Sequence, residues 1–388
     1  MLNMRERQSL TAQIVRRYQK AKKLEKTQIL DEFVYNTGYN RSYARRVIGL
    51  AKHHDFRTHK KIKRIRSHKY NPTVILKPLS KLWDMSNFIC GKRLAPLIPD
   101  YLSVLRRDNV WEYPLATDDQ LMKISASTID RLLIPIRKKI TLKGRTTTKP
   151  GTLLKHQIPV RTWSDWNENI PGFFETDTVA FCGVSLAGDF AWGVDMTDVC
   201  TGWVLLELCE SRGQYSIHEG MKRMMGRLVY KTLGIDSDNG GEFINDILHR
   251  YCLKEKITFT RTRAGKKNDN CYVEQKNFTS LRTFLGYARI ETEEQIRIAR
   301  EILILAEIFI NFFQSSNKLL EKKRIGTHVT KRYEKAITPY KRLLKVGNLS
   351  EEQKQQLNEV YLHHNPLELT TKIRALQDKL RRSHIVTI

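Results

Sequence analysis

Apolar residues recur at helical spacing through the first fifty positions: Leu10, Ile14, Val15 and Tyr18, then Ile29, Leu30 and Phe33, then Ala44, Val47 and Ile48. A period of three to four residues gives each helix one buried face. Three helices are therefore predicted: one capped by Ser9, one over 26–36 and one over 40–48. Thr37-Gly38-Tyr39 forms the turn before the third, because Gly38 can take positive φ without a Cβ clash. On the third helix Arg41, Ser42, Arg45 and Arg46 fall opposite the apolar face. This is the grammar of a helix-turn-helix unit, whose last helix offers side chains to phosphates and base edges. A basic face that is merely solvated is the plainer alternative.

Residues 70–108 read as apolar helices, with Trp83, Leu94 and Leu102 as candidate core. A second helix-turn-helix candidate spans 119–139. There Ser127 and Asp130 resemble a capping box, and Thr128 and Arg131 face outward as candidate DNA contacts. Residues 141–160 lack apolar periodicity and are rich in Thr, Lys, Gly and Pro, which predicts a basic linker. The texture then changes. Short runs of apolar and β-branched residues at 173–181, 190–197 and 202–210 predict strands, followed by a helix over 216–228 and a strand over 231–238. A helix over 241–255, a strand over 257–262 and long helices from about 270 and 291 complete the series. The order βββ-α-β-α-β-α-α is that of a ribonuclease H-like α/β domain. From about 318 the chain reads as basic and helical, with breaks at Arg324-Ile325-Gly326-Thr327 and Thr338-Pro339-Tyr340.

The expected architecture is thus multi-domain. An all-α helix-turn-helix DNA-binding unit occupies 1–52, a helical region with the second helix-turn-helix 53–140, and the basic linker 141–165. A central α/β ribonuclease H-like catalytic domain spans 166–320, and a basic helical C-terminal region spans 321–388.

Composition narrows the class. With 40% hydrophobic and 28% charged residues the chain is globular, not disordered. Its longest apolar-rich stretch, 302–313, is interrupted by Glu307 and Asn311 and falls short of a membrane span. The N-terminus lacks the apolar core of a secretory signal. We expect a cytoplasmic, nucleoid-associated protein with no membrane partner. Cys90, Cys182, Cys200, Cys209, Cys252 and Cys271 are scattered without a CxxC pair, so reduced and mostly buried thiols are expected. His53, His54, His59 and His68 cluster, but no cysteine pair lies nearby to complete a zinc site.

The formal net charge of +27 points to a polyanionic partner. It is unevenly spread: residues 1–70 hold 19 Lys and Arg against 5 Asp and Glu, whereas 171–260 hold 8 against 13. A basic reader joined to an acidic middle fits a nucleic-acid protein whose carboxylates capture metal ions.

Three carboxylates stand out. Asp177 is mid-strand among apolar neighbours, where an ionised group is costly unless paired or metal-bound. Asp238 ends the fourth strand, before Asn239-Gly240-Gly241, and Glu274 lies one turn into a helix. Two-metal phosphodiester chemistry needs carboxylates from separate elements to converge, and hard oxygen donors suit Mg²⁺. Asp236, Glu242, Asp195 and Asp198 read as turn, cap or surface residues. Lys266 and Lys267, in the loop before the helix, and Asn270, one turn ahead of Glu274, are candidates for holding a DNA end.

Thirty-five residues separate Asp238 from Glu274. With Asp177, this spacing resembles the D,D-35-E triad of the retroviral integrase and DDE transposase superfamily. Asp238-Asn239-Gly240-Gly241-Glu242-Phe243 resembles the signature at its second aspartate, and Lys267 to Asn277 the signature around its glutamate. Cys90 to Leu94, Ser127 to Leu132, Thr197-Asp198-Val199 with Thr201-Gly202-Trp203, and Thr338-Pro339-Tyr340 with Arg342-Leu343-Leu344 extend the likeness to integrase-core transposases of bacterial insertion sequences. Two departures stand beside it. Ala264-Gly265 takes the place of a Pro followed by an aromatic residue, and the N-terminal zinc-binding residues of retroviral integrases are absent. The resemblance implies that Asp177, Asp238 and Glu274 are the catalytic, metal-holding residues. It implies Mg²⁺ as cofactor, with Mn²⁺ able to substitute. The implied partners are terminal-repeat and target DNA, with self-association into at least a dimer during reaction. The implied function is 3′-end cleavage and joining by a transposase. A nuclease of the same fold and a non-catalytic repressor derived from a transposase are the alternatives.

Overall fold

The computed structural model describes residues 3–51, 70–137, 160–161, 170–237, 242–243, 245–262, 278–325, 328–346 and 349–385. The chain divides into two compact units, Met1–Lys69 and Tyr70–Ile388.

In the first unit, α1 (Met4–Lys20), α2 (Lys23–Thr37) and α3 (Arg41–Ala51) close over Ile14, Val15, Ile29, Leu30, Phe33, Ala44, Ile48 and Ala51. Asn3 caps α1 reciprocally: Glu6 N donates to Asn3 Oδ1 at 3.0 Å, and Asn3 N to Glu6 Oε2 at 2.7 Å. Ser9 therefore lies inside α1 and caps nothing. The predicted turn is present, with Gly38 at φ 70° and its N–H on Val34 O. Asn40 Oδ1 then caps α3 through Tyr43 N at 2.7 Å.

The second unit begins with α4 (Pro72–Met85), α5 (Gly91–Leu94), α6 (Ile98–Arg107), α7 (Leu115–Met122) and α8 (Ala126–Arg137). Leu79, Trp83, Leu94, Tyr101, Leu105 and Leu133 share one hydrophobic core with the sheet that follows, so these helices form no separate body. The cap of α8 is Ser125, whose hydroxyl accepts from Thr128 N at 3.3 Å, not Ser127. Asp130, expected in a capping box, instead accepts from Gly91 N at 2.8 Å and pairs with Arg137 at 2.8 Å. An added Cβ at Gly91 would collide with the Ala126 carbonyl, so only glycine lets α5 approach α8 this closely.

Six strands form one mixed sheet in the order β1-β6-β5-β2-β3-β4. They are β1 (Val160–Arg161), β2 (Phe173–Ala180), β3 (Trp192–Asp198), β4 (Val204–Cys209), β5 (Gly234–Ser237) and β6 (Thr258–Thr262). β2 runs antiparallel to β3 and β3 to β4, whereas β5 and β6 continue from β2 in parallel. Without the short β1, this order and these directions match the expected ribonuclease H-like arrangement. β1 itself falls inside the stretch read as linker, where Val160 and Arg161 pair with Arg261 and Thr262. The rest of that linker lies outside the described residues. Helices α9 (Gln214–Met225) and α10 (Asp246–Lys254) follow β4 and β5.

The outer edge of β4 is closed by side chains. Asn311 accepts from Val204 N at 2.8 Å and donates to Val204 O at 2.7 Å. Glu307 accepts from Leu206 N at 3.0 Å, while Arg227 and Arg300 donate to Leu206 O and Leu208 O at 2.7 and 2.9 Å. Asn311 sits in a π-helical turn, Phe309–Phe313, that ends the helix Glu293–Ile308. An edge strand is a template for unwanted pairing, and covering it removes that hazard. The two polar residues that break the apolar run 302–313 are thus edge clamps.

The C-terminal region departs from expectation. It opens with a two-stranded antiparallel ribbon, β7 (Leu319–Ile325) and β8 (His328–Tyr333), and only then turns helical at Pro339–Val346, Glu351–Leu362 and Pro366–Ile385. The basic residues dominated the sequence reading, but Ile325, Val329, Thr330 and Tyr333 are strand formers. Among the described residues no helix is long and apolar enough to cross a membrane. Of the five described cysteines, Cys200, Cys209 and Cys252 are buried, while Cys90 is exposed and Cys182 half-buried. Burial pushes the Cys209 and Cys252 thiols up to about 12.

Candidate active site

Strand side chains alternate between faces, and register partners share one. Asp177, half-buried on β2, has Asp195 of β3 as its register partner. Two residues earlier, Glu175 pairs in register with Thr197 on one side and Asp236 on the other. One face of the sheet therefore carries Glu175, Asp177, Asp195 and Asp236. The first, third and fourth of these are at most 1% exposed.

Buried carboxylates persist only where they are satisfied. Asp195 accepts from Thr197 Oγ1 at 3.0 Å and from Ser280 Oγ. Asp236 accepts from Thr260 Oγ1, and Asp177 Oδ1 from Thr178 N at 2.8 Å. Ser280 lies in a π-helical turn, Phe278–Arg282, whose Leu281 side chain packs beside Gly193 of β3. That turn covers the Asp177 face, and α9 covers the other, where Gly220 lies against Cys209 and Glu207.

The other face holds Glu242. Its side chain is 2% exposed, accepting from Thr178 Oγ1 at 2.9 Å and pairing with Arg212 at 2.7 Å. Arg212 in turn lies 4.9 Å over the Trp192 ring. Asn245 donates to the Glu242 carbonyl at 2.5 Å and caps α10 through Leu248 N at 2.9 Å. Glu242 thereby joins the segment ahead of α10 to β2 and to the β4–α9 loop.

Asp195, Asp198, Asp236 and Glu242 are thus not surface residues. Asp198 does serve a turn, but a buried one, accepting from Gly172 N, Thr201 N and Thr201 Oγ1, each at 2.7 Å. Burial raises its carboxyl above the ordinary value, and those hydrogen bonds pull it back. Glu175 was not singled out from sequence. The signal was there: Glu175-x-Asp177 has the two-residue spacing that puts both acids on one strand face, and Asp236-x-Asp238 repeats that spacing in the sequence.

Of the predicted triad, Asp177 is described, whereas Asp238 and Glu274 lie outside the described residues, as do Lys266, Lys267, Asn270 and the histidine cluster. Among the described residues no group of three His, Cys, Asp or Glu is arranged to hold a metal. Arg41, Ser42, Arg45 and Arg46 are exposed on α3, with Arg41 paired to Asp31 of α2. Arg131 is exposed and Thr128 half-buried against Ser125.

No protein-family model matches the chain. A curated relative does: the uncharacterized protein y4rM of Sinorhizobium fredii (strain NBRC 101917 / NGR234) is 34% identical over 343 residues, covering 88% of this chain and 96% of its own. The chain belongs to the y4rM family. Among solved structures, the catalytic core domain of BIV integrase overlaps 45% of the chain and 94% of its own at 17% identity, with a TM-score of 0.30. The HTLV-2 integrase catalytic core domain in complex with magnesium (dimeric form) overlaps 38% and 91% at 14% identity, with a TM-score of 0.29. It is the strand order and directions, not these overlaps, that make the sheet of this y4rM relative ribonuclease H-like.

Proposed function

We propose that the chain is a DNA recombinase of the transposase kind. In this reading Asp177, Asp238 and Glu274 form its active centre, and it cleaves 3′ ends and joins them to target DNA. The observation that carries the proposal is the convergence on Asp177 of the chain ends flanking the other two acids. β5 pairs Ser237 with Thr176, the residues that precede Asp238 and Asp177 in sequence. Ser280 is hydrogen-bonded to Asp195, the register partner of Asp177. Glu274 precedes Ser280 by six residues, a reach of about 9 Å along a helix axis and no more than about 20 Å fully extended.

The donor set fits a divalent cation of the Mg²⁺ kind: all are carboxylate oxygens, and Asp177 is half-buried on a strand face with three more acids around it. Asp177, Asp238 and Glu274 would hold the ions, with Mn²⁺ able to replace Mg²⁺. When bound, they activate the attacking oxygen and stabilise the leaving one. The protein supplies position. Asp195 and Ser280 tie the covering turn to β2's neighbour, and Glu242 ties the segment ahead of α10 to Thr178 and Arg212. Lys266, Lys267 and Asn270 flank Glu274 in sequence and would hold the DNA end as point charge and hydrogen-bond donor. Arg41, Ser42, Arg45 and Arg46 on α3, and Thr128 and Arg131 on α8, would read terminal inverted repeats as helix-turn-helix contacts. Joining two ends requires at least two copies of the chain.

The test is strand cleavage and joining on duplexes that carry the element's ends. The unchanged chain acts with Mg²⁺ or Mn²⁺ and stops with a chelator. Asp177→Asn, Asp238→Asn and Glu274→Gln each abolish both steps while end binding persists. Cleavage at the unchanged rate by any one variant removes that residue from the centre.

A further inference from the structure

The β7–β8 ribbon stands apart from the main sheet as its own two-stranded sheet. Between Lys318 and Lys335 it carries seven Lys and Arg against two Glu. Both glutamates are already engaged. Glu321 pairs with Lys323 at 2.8 Å, and Glu334 pairs with Arg342 at the ribbon's base. Lys331, Arg332 and Lys335 are exposed and have no acid partner among the described residues. Leu320, Val329 and Tyr333 beside them are 54%, 44% and 50% exposed. The register sets Glu321 opposite Arg332 and Lys323 opposite Thr330. An isolated two-stranded hairpin is marginal in water. The exposed cations of this ribbon suit a polyanion lying along it.

The base, by contrast, is fixed. Ser316 and Ile337 bridge the two strands' roots, with Ser316 N on Ile337 O at 2.9 Å, and Glu334 N donates to Lys318 O at 3.0 Å. Arg342, 5% exposed, donates to Ser316 O at 3.0 Å and to Thr201 O in the β3–β4 turn. Seven residues of strand extend about 20 Å from that anchor.

We propose that this ribbon is a duplex DNA-binding arm, the basic strands lying against phosphates of the groove they enter. The B-DNA major groove, about 12 Å wide, admits a two-stranded ribbon, whereas the A-form major groove is too deep and narrow for side chains to read. The exposed Val329 and Tyr333 give the arm apolar contacts beside its cations. The proposal rests on the reading that the chain acts on DNA, but it concerns binding alone.

The experiment uses the full chain with a chelator present, so that no chemistry occurs. Lys331→Ala, Arg332→Ala and Lys335→Ala are combined and compared with a control combining Lys372→Ala, Lys379→Ala and Arg382→Ala on the last helix. Binding to a short scrambled duplex is followed by fluorescence anisotropy across salt. Each phosphate contact contributes about 0.9 to the salt slope. The ribbon variant loses about 2.7 in slope and, near 0.1 M salt, affinity on the order of a hundredfold, while the control changes little. In the unchanged chain, bound duplex protects Lys331 and Lys335 from acylation read by mass spectrometry, a readout that does not depend on how the variant folds. Equal slopes for ribbon and control variants, or undiminished acylation, overturn the proposal. So does ribbon-dependent binding to phosphatidylserine vesicles without loss of DNA binding. A chain that binds DNA through the ribbon yet neither cuts nor joins it sinks the proposed function and leaves the arm standing.

Discussion

Glu242→Gln separates positioning from stability. The substitution keeps side-chain volume and an acceptor for Thr178 Oγ1, but removes the charge that Arg212 meets at 2.7 and 3.0 Å. A hydrogen bond to a charged group contributes about 1.5–3 kcal/mol when buried. Arg212 is 39% exposed and can rehydrate, so the lower end, about 1–2 kcal/mol, is expected. Against a total of about 5–15 kcal/mol for a folded domain, the chain stays folded. The catalytic effect should be larger. Glu242 follows Asp238 by four residues, and a shift of about 1 Å in a reacting group costs on the order of a hundredfold in rate. Urea unfolding gives the first quantity, and single-turnover strand transfer at saturating DNA and metal gives the second. A rate loss of about 30- to 100-fold with modest destabilisation supports a segment held in place by Glu242. Destabilisation with an unchanged rate shows that the Arg212–Glu242–Thr178 link serves the fold alone, and refutes the positioning role.

Three further outcomes follow from the geometry. Asn311→Leu strips both edge hydrogen bonds from buried Val204 and should cost about 2–5 kcal/mol in urea unfolding; a cost below about 0.5 kcal/mol, within the ordinary range for a surface change, contradicts the clamp. Burial holds His218 below its ordinary value of 6.5, so its contribution to stability is present above that value and is lost as pH falls through the lowered one. His218→Gln should flatten the acid-side slope of stability against pH, and an unchanged slope assigns it to other groups. Arg45→Ala should weaken terminal-repeat binding by about 1–3 kcal/mol and scrambled-DNA binding less; equal losses reduce Arg45 to a phosphate contact.

Periodicity in the sequence located the elements well where one face is buried. The second and third helices, the turn at Gly38 and the strands around Asp177 and Asp195 lie close to their expected positions, whereas the first helix starts at Met4 and not after Ser9. Caps were less legible: Asn3 and Ser125 took roles assigned to Ser9 and Ser127, because several polar residues near a helix start can serve and packing chooses among them. The ribbon at 319–333 was read as helical because its charge hid a strand pattern. The buried acids were misread because burial of Asp195, Asp236 and Glu242 depends on partners far along the chain: Ser280, Thr260 and Arg212. Likewise Glu307 and Asn311 looked like interruptions in an apolar run, and only the sheet edge beside them explains their place.

The central claim, that Asp177 shares a divalent-metal centre with Asp238 and Glu274, is tested most directly by Mn²⁺ anomalous diffraction from the chain bound to end DNA. The account predicts two peaks about 3.5–4 Å apart, with Asp177, Asp238 and Glu274 oxygens as ligands, and loss of at least one peak in Asp177→Asn. Mn²⁺ peaks that do not touch Asp177, or the same pair of peaks in Asp177→Asn, contradict it.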